Sequence, residues 1–377
     1  MTTTLRGITW EHARGYGSVA RASEAYRVVR PDVEVRWEYR SLQAFADHPI
    51  DDLVARYDLL VIDHPHVPLA AEHGWFAALD GRGFDDRLGT VATQSVGRSH
   101  ESYFHAGHQW GLAIDAAAQV AAYRPDLLPE PPRDWAAVLE LARDGRVLWP
   151  AKPIDAFSSL VTIAANRGTP PFGNAHFLDF ADAAPALETM HELASLVPKE
   201  NLEWNPIEVA DALSTGDRWA YSPLLFGYSN YSRAGFRAHR LRYTDIPRGP
   251  LGVAGSLLGG AGIAVSAETL HLAEAIEFAF WLDSAETQEG VYYDGGGQPG
   301  NSIAWQSDRT NADSLDFFRG TRATLDGAYL RPRHAAYIEV QDESAPLVTA
   351  ALRGELTDRE LVDRLNAIAH RLLGGTP

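Results

Sequence analysis

The chain has 377 residues, 45% hydrophobic and 22% charged, a balance that excludes wholesale disorder and predicts two to three domains at ~150 residues each. Its 33 basic and 50 acidic side chains give a net charge of −17, so nucleic acid and bare anionic membrane are poor partners. Cysteine is absent, which excludes thiol catalysis, Cys-ligated zinc, disulfides and a Cys-linked lipid anchor.

Leu5-Arg-Gly-Ile-Thr-Trp10 reads as a first strand. A helix over Ser18 to Val29 follows, with Ser18 as N-cap and Val19, Ala22, Tyr26 and Val29 on one face. Pro31 stops it, Val33 to Trp37 alternates as a second strand, and Leu53 to Arg56 is a short helical stretch. Leu59-Leu-Val-Ile62 suits a strand buried on both faces. Strands separated by helices predict right-handed βαβ units and a mainly parallel sheet.

From residue 107 the pattern changes. Gly107 to Asp115 and Ala117 to Tyr123 read as two strands. After a turn at Pro125 to Pro132, Asp134 is placed to cap a helix that buries Trp135, Val138, Leu139 and Leu141. Helical patterns recur at Ala183 to Leu196 and Ile207 to Leu213, a strand at Gly259 to Val265, and an apolar helix at Leu270 to Leu282. Thr357-Asp-Arg-Glu360 is a capping box that opens a last helix to Leu373. No apolar run is long enough to span a bilayer.

Several of these segments, in this order, resemble the extracellular solute-binding proteins of carbohydrate ABC importers, the maltose-binding-protein-like family. Trp110-Gly-Leu-Ala113 resembles its Tyr-Gly-Leu-Pro turn, and Val120 to Leu127 its strand ending in Tyr and Asn-Lys-Asp-Leu. Pro132-Arg-Asp-Trp135 resembles a P-x-T-W helix start, Leu213 to Ala220 the F-x-x-G-x-A-A-M stretch, and Pro247-Arg-Gly-Pro250 a P-x-G-P turn. Leu258 to Val265 and Ala275 to Leu282 resemble the G-G-x-x-x-A-V run and the helix after it. Ala113, Arg124 and Pro125 depart from the pattern. The resemblance implies an α/β, two-lobed periplasmic-binding-protein fold of type II, each lobe a mainly parallel sheet flanked by helices. The lobes are expected at 1–112 plus 255–305 and 113–254 plus 306–377, with hinge crossings near 112, 254 and 305. The resemblance further implies that ligand binds between them and closes them.

Ligands of open α/β sheets sit beyond the carboxyl ends of parallel strands. Here those ends carry Trp10, Glu11, His12 and Arg14, then Tyr39 and Arg40, then Asp63, His64 and His66. Aromatic rings beside hydrogen-bonding groups suit a sugar or polyol, whose faces stack while its hydroxyls pair. Arg14 and Arg40 suggest an acidic ligand such as a sugar acid, or else they pair with Glu11, Glu38 or Asp63. His64 and His66, with Asp63, Glu11 and His12, are candidate metal ligands, although Pro65 equally suits a strand exit. By the resemblance the second lobe contributes Asp115, Trp149, Tyr221, Phe226 and Tyr228. Gly259 and Gly260 are expected to let backbone amides approach the ligand, and Gln298 to face it. The Gly295 to Gly297 run lacks the residues of a phosphate loop and reads as a turn.

The first functional reading is the solute-binding component of an ABC import system, with the membrane subunits as partners, a monomeric state and no cofactor. No G-x-S-x-G, H-E-x-x-H, Walker or dinucleotide motif is present, which favours binding over catalysis. The alternative is a cytoplasmic enzyme on the same scaffold, using Glu11, His12, Asp63, His64 and His66 for acid-base elimination or hydrolysis. The opening Met-Thr-Thr-Thr-Leu-Arg carries no export signal, so the family's periplasmic or extracellular location is expected only if a signal was removed.

Overall fold

A computed structural model describes residues 2–41 and 50–374. These residues form two compact units. The first holds the described residues up to 117 together with 259–310 and 333–335. The second holds 118–258, 311–332 and those from 336 onward.

In the first unit β1 (Thr3–Trp10) lies parallel between β2 (Val33–Arg40) and β3 (Leu59–Ile62). The helix Ser18–Val29 connects β1 to β2 and buries Val19, Ala22 and Tyr26, while Val29 is exposed. Gly7 stands opposite Trp37 in the β1–β2 register, and a Cβ there would overlap the indole. The glycine therefore makes room for the ring. A hairpin follows, with β4 (Phe104–His105) and β5 (His108–Gln109) joined through Ala106 and Gly107, both at positive φ. That is the backbone a two-residue hairpin turn requires.

The two strands expected over 107–115 and 117–123 are instead this hairpin and one long strand, β6 (Leu112–Tyr123), buried throughout. Asp115 reads as an interruption because it is charged, yet it sits inside the strand with a partner of its own. β9 (Leu258–Val265) runs antiparallel to β3, and the first unit's strands order as β2-β1-β3-β9-β6. In the second unit β7 (Tyr221–Phe226) and β8 (Arg242–Thr244) pair antiparallel with residues 119–123 of β6. The sheet is therefore mixed and not mainly parallel, since the βαβ signals extend only over β1 to β3.

Helices cover the second unit's core. The one over Pro153–Asn166 is buried at every position from Asp155 on, so it shows no amphipathic period. Asp134 caps the helix Trp135–Arg143 by accepting the Ala137 N–H at 2.9 Å, and Thr357 with Glu360 completes the expected capping box. Leu270 lies outside the helix Leu272–Leu282 and is 93% exposed.

Gly260 sits at φ +106°, and a Cβ there would overlap the Asp115 carbonyl oxygen on β6. Gly260→Ala is expected to destabilise the chain by about 1–3 kcal/mol in urea unfolding. An unchanged midpoint would contradict this close approach of β9 to β6.

Candidate functional site

The parallel register brings the carboxyl ends of β1, β2 and β3 to one edge of the first unit. Trp10 pairs with Arg40, and the Glu11 N–H donates to the Arg40 carbonyl at 2.9 Å. Trp10 itself is buried, its indole packed against Gly15, where any Cβ would overlap the ring. Glu11 is exposed. Tyr39 is 52% exposed and meets Tyr16 edge to face at 5.0 Å. These two rings form an open aromatic step beside Glu11. Arg40 is half-buried, and desolvation pulls its guanidinium below the ordinary value.

Arg14 and Asp115 find each other. The guanidinium donates to both carboxylate oxygens, Nε to Oδ2 at 2.7 Å and Nη2 to Oδ1 at 2.5 Å, and both side chains are buried. Burial raises the Asp115 carboxyl above its ordinary range, opposed by the Arg14 charge and reinforced by Asp63. Arg14 thus reaches a carboxylate 101 positions away in sequence. Glu38 instead takes Arg6 at 3.2 Å and the Tyr57 hydroxyl at 2.7 Å.

The loop after β1 is built around this pair. His12 Nδ1 accepts the Arg14 N–H at 3.0 Å, and the Ser18 hydroxyl donates to the carbonyls of Arg14 and Gly15. His12 thus caps the turn, not Ser18. Gly17, Gly295 and Gly296 are all positions where a Cβ would overlap the facing backbone, so the glycine run packs the 290s loop onto residues 13–18. Gln298 is buried and donates to the Ala116 carbonyl at 2.9 Å, which fixes that loop along β6. Gly260 likewise uses its freedom against β6, while Gly259 is half-buried at the start of β9.

The segment Asp63 to His66 is not extended. Pro65 takes helical backbone angles and His66 opens the helix His66–His73. Alternation therefore does not align the two imidazoles. Asp63 Oδ1 accepts the His64 N–H at 2.8 Å, the His64 carbonyl accepts from Arg333 at 3.1 Å, and both histidines are buried. Among the described residues no group of three histidines or carboxylates is placed to hold a metal ion.

The second unit holds the remaining candidates. Trp149 is a core residue, fully buried, with its indole N–H on Ser159 Oγ at 3.1 Å. Tyr221 is also fully buried, its hydroxyl has no hydrogen-bond partner among the described residues, and burial raises its pKa. Phe226 is half-buried at the end of β7, and Tyr228 is buried just beyond it.

Sequence reading passed over Asp155. It lies in the first turn of the helix Pro153–Asn166, is 4% exposed, and its Oδ2 has no partner among the described residues. Burial holds its carboxyl well above the ordinary 3.8, with Lys152 opposing and Glu208 adding to the shift. A Pro-started apolar helix with an early Asp was the available signal.

No family model matches the sequence, and no curated protein matches it. Solved structures do match, end to end. Maltose-bound MalE3 of T. maritima superposes with a TM-score of 0.84 at 16% identity, covering 99% of this chain and 100% of that one. The GacH receptor of Streptomyces glaucescens, solved unliganded and with acarbose, gives 0.82 at 15% identity over 100% of both chains. An ABC transporter solute-binding protein of Agrobacterium radiobacter in complex with ribitol gives 0.80 at 18% identity over 98% of both. The chain therefore has the type II periplasmic-binding-protein fold. No helix among the described residues is long and apolar enough to cross a membrane.

Two outcomes follow. Arg14→Leu strands a buried carboxylate and is expected to cost about 3–5 kcal/mol in urea unfolding; a loss near zero would contradict the pair. A raised folded-state value means Asp155 binds its proton more tightly folded than unfolded. Its contribution is full below about pH 4 and is lost as pH rises toward the folded value. Asp155→Asn is therefore expected to raise the melting temperature at pH 7 and to flatten its fall between pH 4 and 7. An unchanged pH profile would contradict the assignment.

Proposed function

We propose that the chain captures a small neutral polyhydroxyl solute, a sugar or polyol, as the solute-binding component of an ABC import system. The observation that carries the reading is the open Tyr16–Tyr39 step at the carboxyl ends of parallel strands. It occurs on a fold matched end to end by maltose-, acarbose- and ribitol-bound proteins. Sugar C–H faces stack on such rings, and Glu11 and Arg40 stand beside them for the hydroxyls. Engagement of Arg14 by Asp115 favours a neutral solute over an acid. Delivery to membrane subunits outside the cytoplasm, and action as a monomer, belong to the same proposal.

The test is thermal unfolding of the chain with maltose, ribitol, D-mannitol and tagatose, the ligand being recovered afterwards. A ligand at 100 times its Kd should stabilise by about 2.7 kcal/mol. Tyr39→Ala should weaken that ligand about 3- to 10-fold, as loss of one stacking face implies, without lowering the melting temperature of the free protein. A stable shift with unchanged ligand supports the reading. No shift with any polyhydroxyl compound, or conversion of the ligand, overturns it.

A further inference from the structure

The second unit contains a concavity of about 390 Å³ that none of the residues discussed above explains. Three arginines line it, Arg133, Arg242 and Arg248. Its size is that of a small-molecule site. Three arginines are unusual company in a chain whose acids outnumber its bases by 50 to 33.

The backbone runs the segments that carry two of them alongside each other. The Arg248 N–H donates to the Arg133 carbonyl at 2.9 Å, and Asp134 and Arg248 form a parallel bridge. The turn beyond Arg248 is held rigid, because Asn166 Nδ2 donates to the carbonyls of Gly252 and Ala254 at 2.9 and 2.6 Å. Arg242 lies on β8, opposite Tyr123 in the β6–β8 register, and Tyr123 also lines the concavity.

Two carboxylates line the same concavity. Asp245 Oδ1 accepts both the Thr324 N–H at 2.9 Å and the Thr324 hydroxyl at 2.8 Å. Asp316 pairs with Arg242 at 3.0 Å. Among the described residues Arg133 has only a loose contact with Glu130, at 3.8 Å, between two largely exposed side chains. Arg248 has no side-chain hydrogen bond or ion pair among the described residues. In the sequence, both arginines occupy the open x position of their motifs, Pro132-Arg133-Asp-Trp135 and Pro247-Arg248-Gly-Pro250. Neither the turn nor the helix start demands arginine there.

We propose that this concavity binds a small multivalent oxyanion, carboxylate or phosphate in kind, held by Arg133 and Arg248 with Arg242 beside them. Planar guanidinium forks match both kinds of oxyanion. The site lies wholly within the second unit, so it is independent of the sugar-binding proposal and of its residues in the first unit.

The experiment is thermal unfolding and calorimetric titration of the full chain with citrate and, separately, with inorganic phosphate. Sodium chloride keeps the ionic strength constant, so that general screening cancels. Saturable stabilisation by either probe is expected in the parent chain. In the double variant Arg133→Ala/Arg248→Ala, affinity should fall at least about tenfold, the loss of roughly one charge-assisted hydrogen bond. Arg21→Ala/Arg371→Ala, which removes the same charge from exposed sites elsewhere, should leave it unchanged. Saturation by citrate alone assigns a multicarboxylate, and by phosphate a phosphorylated ligand; either supports the site. Absence of saturation with both probes overturns the proposal, as does equal weakening in the two double variants. Both arginines are exposed, so the variant is expected to fold, and its circular dichroism and melting temperature without anion check this.

Discussion

The first unit depends on one buried ion pair. Arg14 and Asp115 are both charged groups taken out of water, a costly arrangement unless geometry is good and both ends are satisfied. Two hydrogen bonds from one guanidinium to one carboxylate supply that geometry. The pair joins the loop after β1 to the middle of β6, and much of the surrounding backbone is arranged around it. His12 and Ser18 hold the Arg14 turn, Gly260 brings β9 against Asp115, and the glycines at 295 and 296 lay a second loop over the first. The open aromatic step joins Tyr16, on the loop after β1, to Tyr39 on β2.

This division of labour separates structural charge from ligand chemistry. The residues that look most reactive in sequence, Arg14, Asp115, His64 and His66, are the ones the fold buries. Those that stay exposed are Glu11, Tyr16 and Tyr39. A surface of rings and one carboxylate is suited to hydroxyl-rich neutral ligands, because stacking needs no countercharge and hydroxyls accept or donate as required.

Much of the fold was legible because local signals coincide with local structure. The helix Ser18–Val29, the strand Leu59–Ile62 and the Thr357 capping box appear at or within a residue of where the pattern places them. Order and spacing of the motifs between residues 107 and 282 carried the fold itself. Three things were hidden for physical reasons. The helix Pro153–Asn166 is buried all round and so has no period to detect. The partner of Arg14 is 101 residues away, beyond any spacing rule. The antiparallel pairing of β9 with β3 depends on a strand that returns after almost two hundred residues. Gly260 illustrates the limit for single residues: its freedom was legible, but the group that approaches it was not.

The most direct measurement of the account is calorimetric titration of the Arg133→Ala/Arg248→Ala variant, in which anion binding by the second unit is removed, with a neutral polyol and its matching acid, ribitol and ribonate, at low and high salt. An account in which rings and hydroxyl partners hold the ligand predicts binding of the neutral compound, or of a related neutral sugar, with a Kd that salt leaves unchanged. Ribonate should bind no better than ribitol at either salt. Tight binding of the acid alone, weakening steeply as salt rises, would contradict the account and return the arginines to the ligand.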